Sequence, residues 1–327
     1  MSSHSRIYFH SPCFDGIVSA ILAWDFGEKV LKWTVEDLQP VNYKLRSSWL
    51  RETLVEPCAV VDFLYHPQAS FWADHHATTF LTPEAKRDFK QKDNPHFAYD
   101  PKASSCAQLL WGHLKTAFGY RNRRYAPLVA WATKTDAARY ASVQEAIEGT
   151  APALRINCTL AYGDGDGYSV FLVRQLRNEP VEVVAGLPEV RTRYERFQND
   201  VHQGLELFES RARLERGVVV FDLKAENTLV PRYAPYYFFP NAPYSAGIIR
   251  RDDTTTITAM RNPWRRVTSI HLGRLFERFG GGGHPRVGSV VLRDGDTARA
   301  EGLFQEVLTV LQGRFRRTPR LSGTHSR

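Results

Sequence analysis

No apolar stretch in the 327-residue chain is long enough to span a bilayer. The longest early run, residues 17–24, falls well short of the roughly 20 residues a spanning helix needs. The opening, MSSHSRIYFH, lacks the basic-then-apolar pattern of a secretory leader. The four cysteines, Cys13, Cys58, Cys106 and Cys158, have no spacing that suits a zinc knuckle or a redox pair. No internal repeat stands out. These absences predict a chain without membrane spans whose thiols stay reduced, as in a cytoplasm.

The length suits two domains rather than one core. With 43% hydrophobic and 24% charged residues the balance is that of a globular protein. The formal net charge of +8 favours anionic partners such as nucleotides, nucleic acid or acidic membranes, although charge alone names none of them.

The first half alternates strand-like and helix-like pieces. Residues 5–10 read as a buried strand, followed by a tight HSPCFDG turn and a helix over 17–24. Residues 31–35, 58–63 and 71–73 read as further strands. SSCAQLLWGHLKTAF reads as a helix with a serine cap, and residues 125–135 as another. This alternation predicts an α/β fold with a mostly parallel sheet, whose ligands bind beyond the carboxyl ends of the strands. From residue 189, Val190, Tyr194, Phe197, Val201, Leu205 and Phe208 recur at steps of three and four, one face of a long connecting helix. Strand-like GVVVFDL, YSAGIIRRD and TTTITAMRN follow, then a helix over 269–279, GGGGH, and a last helix ending near residue 315. The expected organisation is a catalytic domain over 1–187, a connecting helix over 188–213, a smaller α/β domain over 214–315, and a disordered basic tail over 316–327.

Acids and histidines gather where predicted strands end: His10 and Asp15 after the first, Asp62 after the third, and the run Asp74-His75-His76 after the fourth. Asp136 closes the apolar stretch LVAWATKTD. Imidazole with carboxylate suits borderline divalent metals. Each residue alone reads more readily as a turn former or surface group, and only their recurrence suggests a site.

The motifs HSPCFDG, VVDF, ADHHAT and ATKTD, in this order, resemble the four motifs of the DHH phosphoesterase superfamily. GGGGH at residues 280–284, preceded by TAMRN, resembles the signature of the associated C-terminal domain. The layout is similar to that of the stand-alone two-domain members, nanoRNases and bisphosphonucleotide phosphatases. RecJ-like exonucleases share the core but carry further domains. The resemblance covers about residues 7–292 and implies two divalent ions, usually manganese. His10 would bind the first, Asp15, His75 and Asp136 the second, and Asp62 both. His76 would face substrate phosphate and Asp74 would orient a histidine. His66 matches no motif and reads as a loop histidine. In the C-terminal domain, Arg261, Gly281, Gly282, Gly283 and His284 would hold substrate, the glycine N–H groups cupping an anion.

Cys13 departs from the pattern, standing where relatives carry an aspartate. As a thiolate ligand it would favour zinc, iron or cobalt over manganese. As a neutral residue it would leave the first ion weakly held or absent. The resemblance implies hydrolysis of a short oligonucleotide or nucleotide by two-metal activation of water. The alternatives are a cyclic-dinucleotide phosphodiesterase, a pyrophosphatase (against which GGGGH argues), and a non-catalytic nucleotide or nucleic-acid binder disabled by Cys13. Oligomeric state stays open, with a homodimer one option.

Overall fold

The computed structural model describes residues 3–313 apart from 164, 226–227, 252–253, 268 and 294–298, so the basic tail expected over 316–327 lies outside the described residues. The chain divides into two compact units. One comprises Met1–Tyr140 with Gly149–Phe197, and the other Ala141–Glu148 with Gln198–Arg327. No helix among the described residues is long and apolar enough to cross a membrane.

The first unit runs β1 (Ser3–His10), α1 (Phe14–Lys29), β2 (Trp33–Val41), β3 (Cys58–Val61), β4 (Phe71–Asp74), α2 (Pro83–Lys92), β5 (Phe97–Tyr99), α3 (Cys106–Phe118) and α4 (Ala126–Asp136). After α5 (Val143–Glu148), which groups with the second unit, come α6 (Pro152–Thr159), α7 (Tyr168–Asn178), α8 (Val181–Ala185) and the start of α9 (Pro188–Arg211). The strands form an all-parallel sheet in the order β2-β1-β3-β4-β5. Every residue of β3 and β4 is buried, as a parallel sheet covered on both faces requires. The two-residue period sends Ile7, Phe9, Ala59, Val61, Phe71 and Ala73 into a core shared with α1, α3 and α7. Tyr8, Val60 and Trp72 go into a second core with Trp49, Phe63 and Tyr65. That second face is covered by the irregular segments between β2 and β4 together with α2, which contributes Ala85 and Phe89. Trp49 pins those segments by donating its indole N–H to the Leu64 carbonyl at 3.0 Å.

α1 extends beyond the apolar run of residues 17–24 at both ends. In the fold the buried Asp25 carboxylate accepts from Asn122 at 2.9 Å and pairs with Lys29 at 2.9 Å, so the helix continues through it. The three-residue β5 and the polar α2 carried too little apolar periodicity to be read from sequence.

The second unit contains β6 (Ala212–Glu215), β7 (Val218–Lys224), α10 (Ala234–Phe238), β8 (Tyr244–Arg251), β9 (Thr254–Arg261), α11 (Leu272–Glu277), β10 (Gly282–His284), β11 (Val287–Arg293) and α12 (Ala300–Gly313). Its mixed sheet has the order β10-β11-β9-β8-β7-β6, with only β7 and β8 parallel. α11 and α12 cover one face through Leu272, Phe276, Phe304 and Val307. Phe208 of α9 packs with Phe221 and Leu223 on the other. The division between units falls within α9, whose Val190, Tyr194, Val201 and Phe208 are buried at the spacing the sequence predicts.

Candidate active site

In the first unit β2 and β3 flank β1 on opposite sides, so the strand order reverses beside β1. The carboxyl ends of β1 and β3 therefore frame a switch-point crevice, the place where parallel α/β sheets bind ligands. His10 ends β1, and Asp62 follows β3. Asp62 is held at φ +56°, a left-handed conformation that aspartate tolerates better than most residues. Its N–H donates to the Ala73 carbonyl at 2.9 Å, which locks it in place. Asp15 and Gly16 lie not in a turn, as the sequence suggested, but in the first turn of α1. A Cβ on Gly16 would stand 2.0 Å from the His10 carbonyl oxygen, so only glycine lets the helix start this close to the strand end.

Asp15 is buried against the N-terminus of α3. Its Oδ2 accepts the Cys106 N–H at 2.6 Å and its Oδ1 the Ala107 N–H at 2.9 Å. Sequence reasoning expected a serine cap on this helix, and Ser105 supplies it, accepting the Gln108 N–H at 3.1 Å. It did not foresee that the same helix end grips Asp15. Asp74 closes β4 and is fully buried. Its Oδ1 accepts the His75 N–H at 2.8 Å and faces His76 Nδ1 at 2.7 Å, so it braces the two histidines that follow it.

Three groups of donor atoms result: His10, Cys13 and Asp62; Asp62, His75 and His76; and Asp15, His75 and Asp136. Within each group the atoms lie within 4.8 Å of one another. His75 Nε2 stands 3.4 Å from Asp136, 3.8 Å from Asp62 and 3.9 Å from Asp15. Its other nitrogen, Nδ1, faces the Ala103 carbonyl at 3.1 Å. With the proton on Nδ1, the Nε2 lone pair is left for another acceptor of electrons, as in metal-ligating histidines. His75 Nε2, Asp62 Oδ1 and Asp74 Oδ2 are buried with no hydrogen-bond partner. Three such orphans in one crevice are costly unless something else satisfies them.

The electrostatics agree. Burial, then the Asp136 charge, raises Asp15 to about 6. Burial, then Asp15 and Asp74, pushes Asp62 well above the carboxylate range. Burial and the neighbouring His76 lower His10 to about 4, leaving its imidazole neutral at neutral pH. Burial alone would lower His76, but the hydrogen bond and charge of Asp74 more than offset it and the net direction is up. Burial, then Asp62 and Asp15, drives the Cys13 thiol upward, so it is protonated in this constellation.

Two further side chains belong to this picture. The Tyr43 ring packs edge-on against both histidines, its centroid 5.0 Å from that of His10 and 6.1 Å from that of His76. Nothing in the polar segment NYKLR signalled this from sequence. His66 sits apart from the three groups, its ring 5.3 Å from that of Trp49 and its Nδ1 accepting the Gln68 N–H at 3.2 Å, a buried structural role.

In the second unit, Arg261 ends β9 and donates its backbone N–H to the Arg286 carbonyl at 2.8 Å. His284 ends β10 and pairs with Val287 in register, so the β10–β11 hairpin sets Arg261, His284 and Arg286 at one end of the sheet. The Arg261 Nε is buried without a partner. The glycine run is strand rather than open loop: Gly282 and Gly283 pair with Ser289 and Gly288. Gly283 has φ +143°, and a Cβ there would lie 2.3 Å from the Val287 carbonyl. A Cβ on Gly281 would lie 2.2 Å from that of Ser289, so close backbone packing accounts for part of this motif.

The fold is that of the DHH-domain proteins. A pGpG-specific phosphodiesterase, PggH, from Vibrio cholerae superposes with a TM-score of 0.69 at 19% identity, over 95% of this chain and 99% of that one. RecJ from Thermus thermophilus, solved with Mn2+, superposes with a TM-score of 0.58 at 16% identity, over 97% of this chain and 53% of that one. The DHH domain of PF0399, an S1p-family ribosomal protein, gives 0.58 at 11% identity, over 94% and 86% of the two chains. No family model matches the sequence, and no curated protein matches it. At these identities the likeness is one of fold.

Proposed function

On the premise of that shared fold, we propose that this chain is a divalent-metal-dependent phosphoesterase acting on short oligonucleotides or nucleotides. The observation that carries the reading is the set of buried orphaned atoms, His75 Nε2 and Asp62 Oδ1, amid the carboxylates of Asp15 and Asp136 at the switch point. Such a donor set fits two divalent ions. His10, Cys13 and Asp62 would hold one, and Asp15, His75 and Asp136 the other. Asp62 lies in contact range of both sets and would be shared. When bound, such ions supply Lewis-acid polarisation of a phosphoryl oxygen and a water activated at neutral pH.

The chain's own residues do the rest. The α3 N-terminus fixes the Asp15 carboxylate, and the Ala103 carbonyl fixes the His75 tautomer. Asp74 holds His76 through Nδ1, leaving the other ring nitrogen to meet a phosphate oxygen, and its hydrogen bond and charge push the ring's pKa upward. In the second unit, Arg261 and His284, with the N–H groups of Gly282 and Gly283, would take a substrate phosphate, whereas the Gly281 N–H is already donated to the Phe276 carbonyl at 3.0 Å. PggH is specific for pGpG, a linear dinucleotide, and that structure is matched along nearly its whole length, which supports a small nucleotide substrate over a long polymer. Manganese is the first expectation. The thiol of Cys13 widens the choice to zinc, iron or cobalt. A second reading, a nucleotide-binding protein without turnover, draws on the protonated thiol at a position where a carboxylate would bind an ion more strongly.

The test is a panel of phosphorylated RNA and DNA dinucleotides, a bisphosphonucleotide, cyclic dinucleotides and pyrophosphate, with chelator and with Mn2+. Hydrolysis of linear nucleotides that chelator abolishes and Mn2+ restores is expected. Full activity in verified metal-free protein would overturn the reading, and binding without turnover would favour the second one.

A further inference from the structure

Between β2 and β3 the chain makes two short 3-10 turns, Tyr43–Ser47 and Trp49–Arg51, instead of a crossover helix. Trp49 buries itself between them, its ring 4.9 Å from that of Phe63, and so turns the intervening polar side chains outward. They line a groove of about 650 Å³ within the first unit. Its floor is apolar, from Leu50 and Leu81, and its rim carries Lys44, Arg46 and Arg51. All three cations are exposed, and among the described residues none of them forms an ion pair. At one end stands Tyr43, which lines the groove and also touches the rings of His10 and His76. The groove thus opens directly beside the crevice.

We propose that this groove is a nucleotide subsite, in which the Tyr43 ring stacks a nucleobase and Lys44, Arg46 and Arg51 take a non-scissile phosphate. The inference rests on the phosphoesterase reading and narrows its substrate class. The volume lies within the range of small-molecule sites and leaves room for a base and sugar, which pyrophosphate does not need. A single aromatic platform flanked by unpaired cations is how proteins hold single-stranded nucleic acid without reading its sequence. Lysine and arginine side chains both hold phosphate through charge-assisted hydrogen bonds, so the positive charge rather than a particular fork geometry carries the contact. The substrate class that fits is a linear dinucleotide or short single strand, extending past the scissile phosphate by at least one nucleotide.

Binding tests this independently of turnover. The probe is a 5'-phosphorylated dinucleotide containing 2-aminopurine, titrated into the full chain with EDTA present so that hydrolysis cannot intervene. The double variant Arg46→Ala/Arg51→Ala should weaken binding at least tenfold, and Arg46→Lys/Arg51→Lys should stay within about threefold of wild type. Tyr43→Ala should weaken binding and lose the quenching that stacking produces, while Tyr43→Phe keeps both. Mn2+ uptake, measured on the same variants, should match wild type. Wild-type affinity in the double alanine variant, or a wild type that does not bind the probe, would overturn the subsite. Binding that depends on these residues in a protein that hydrolyses no dinucleotide when Mn2+ replaces the EDTA would instead overturn the phosphoesterase reading and leave the subsite standing.

Discussion

Replacing Asp62 by asparagine should stabilise the metal-free protein while abolishing what the site does. Asp62 is 1% exposed, its Oδ1 has no hydrogen-bond partner, and Asp15 and Asp74 crowd it. Asparagine keeps the shape, removes the charge, and accepts the left-handed φ of +56° as readily as aspartate. The scale of the penalty comes from Asp15, raised from 3.8 to about 6, a cost of roughly 3 kcal/mol at about 1.4 kcal/mol per unit. Removing one carboxylate from the cluster should return part of such a cost, about 1–3 kcal/mol, or roughly 3–8 °C in the melting of the unit that carries it. The sign follows from linkage. A carboxyl whose folded pKa lies above its unfolded value holds its proton more tightly when folded. Its stability is intact below the unfolded pKa and is lost as pH rises through the folded one. The advantage of Asp62→Asn should therefore be larger at pH 8 than at pH 5. Thermal denaturation in EDTA at the two pH values, repeated with Mn2+, measures it. With Mn2+ the order should reverse, because only wild type gains from the ion. A metal-free Asp62→Asn that melts below wild type at pH 8, or a gain equal at both pH values, would refute the idea of an uncompensated carboxylate cluster.

Other outcomes are equally specific. Gly16→Ala should destabilise by more than about 3 kcal/mol, since its Cβ would fall 2.0 Å from the His10 carbonyl oxygen; denaturant titration reads this, and a loss under 1 kcal/mol would contradict the close approach. Cys13→Asp should raise Mn2+ affinity at least tenfold relative to Zn2+, and Cys13→Ala should weaken one ion and spare the other; identical metal titrations in all three proteins would leave Cys13 a packing residue. Arg261→Ala and His284→Ala should raise KM for a dinucleotide at least tenfold with bound metal unchanged, and loss of metal in either folded variant would contradict their assignment to substrate.

Much of the crevice was legible because its residues follow directly on apolar runs. Val60-Val61 ends at Asp62 and Phe71-Trp72-Ala73 ends at Asp74, so the unbroken apolar run that makes a covered parallel strand also marks where its carboxyl end delivers polar groups. What stayed hidden depends on contacts between distant segments. Asp15 meets the N-terminus of α3 some ninety residues on, and Tyr43 reaches His10 only because Trp49 anchors an irregular segment that has no periodicity of its own. The glycine run is ambiguous for a related reason. Glycines that admit close strand packing and glycines that cup an anion look the same until the facing carbonyls of Val287 and Ser289 are in place.

The most direct measurement is a count of ions. Metal-free protein dialysed to equilibrium against Mn2+ at pH 8 should take up two ions per chain, with dinucleotide hydrolysis rising as they bind, and Asp62→Asn should lose both the uptake and the turnover. Wild-type protein that hydrolyses the dinucleotide without taking up a divalent ion, or Asp62→Asn that still takes up two, would contradict the account.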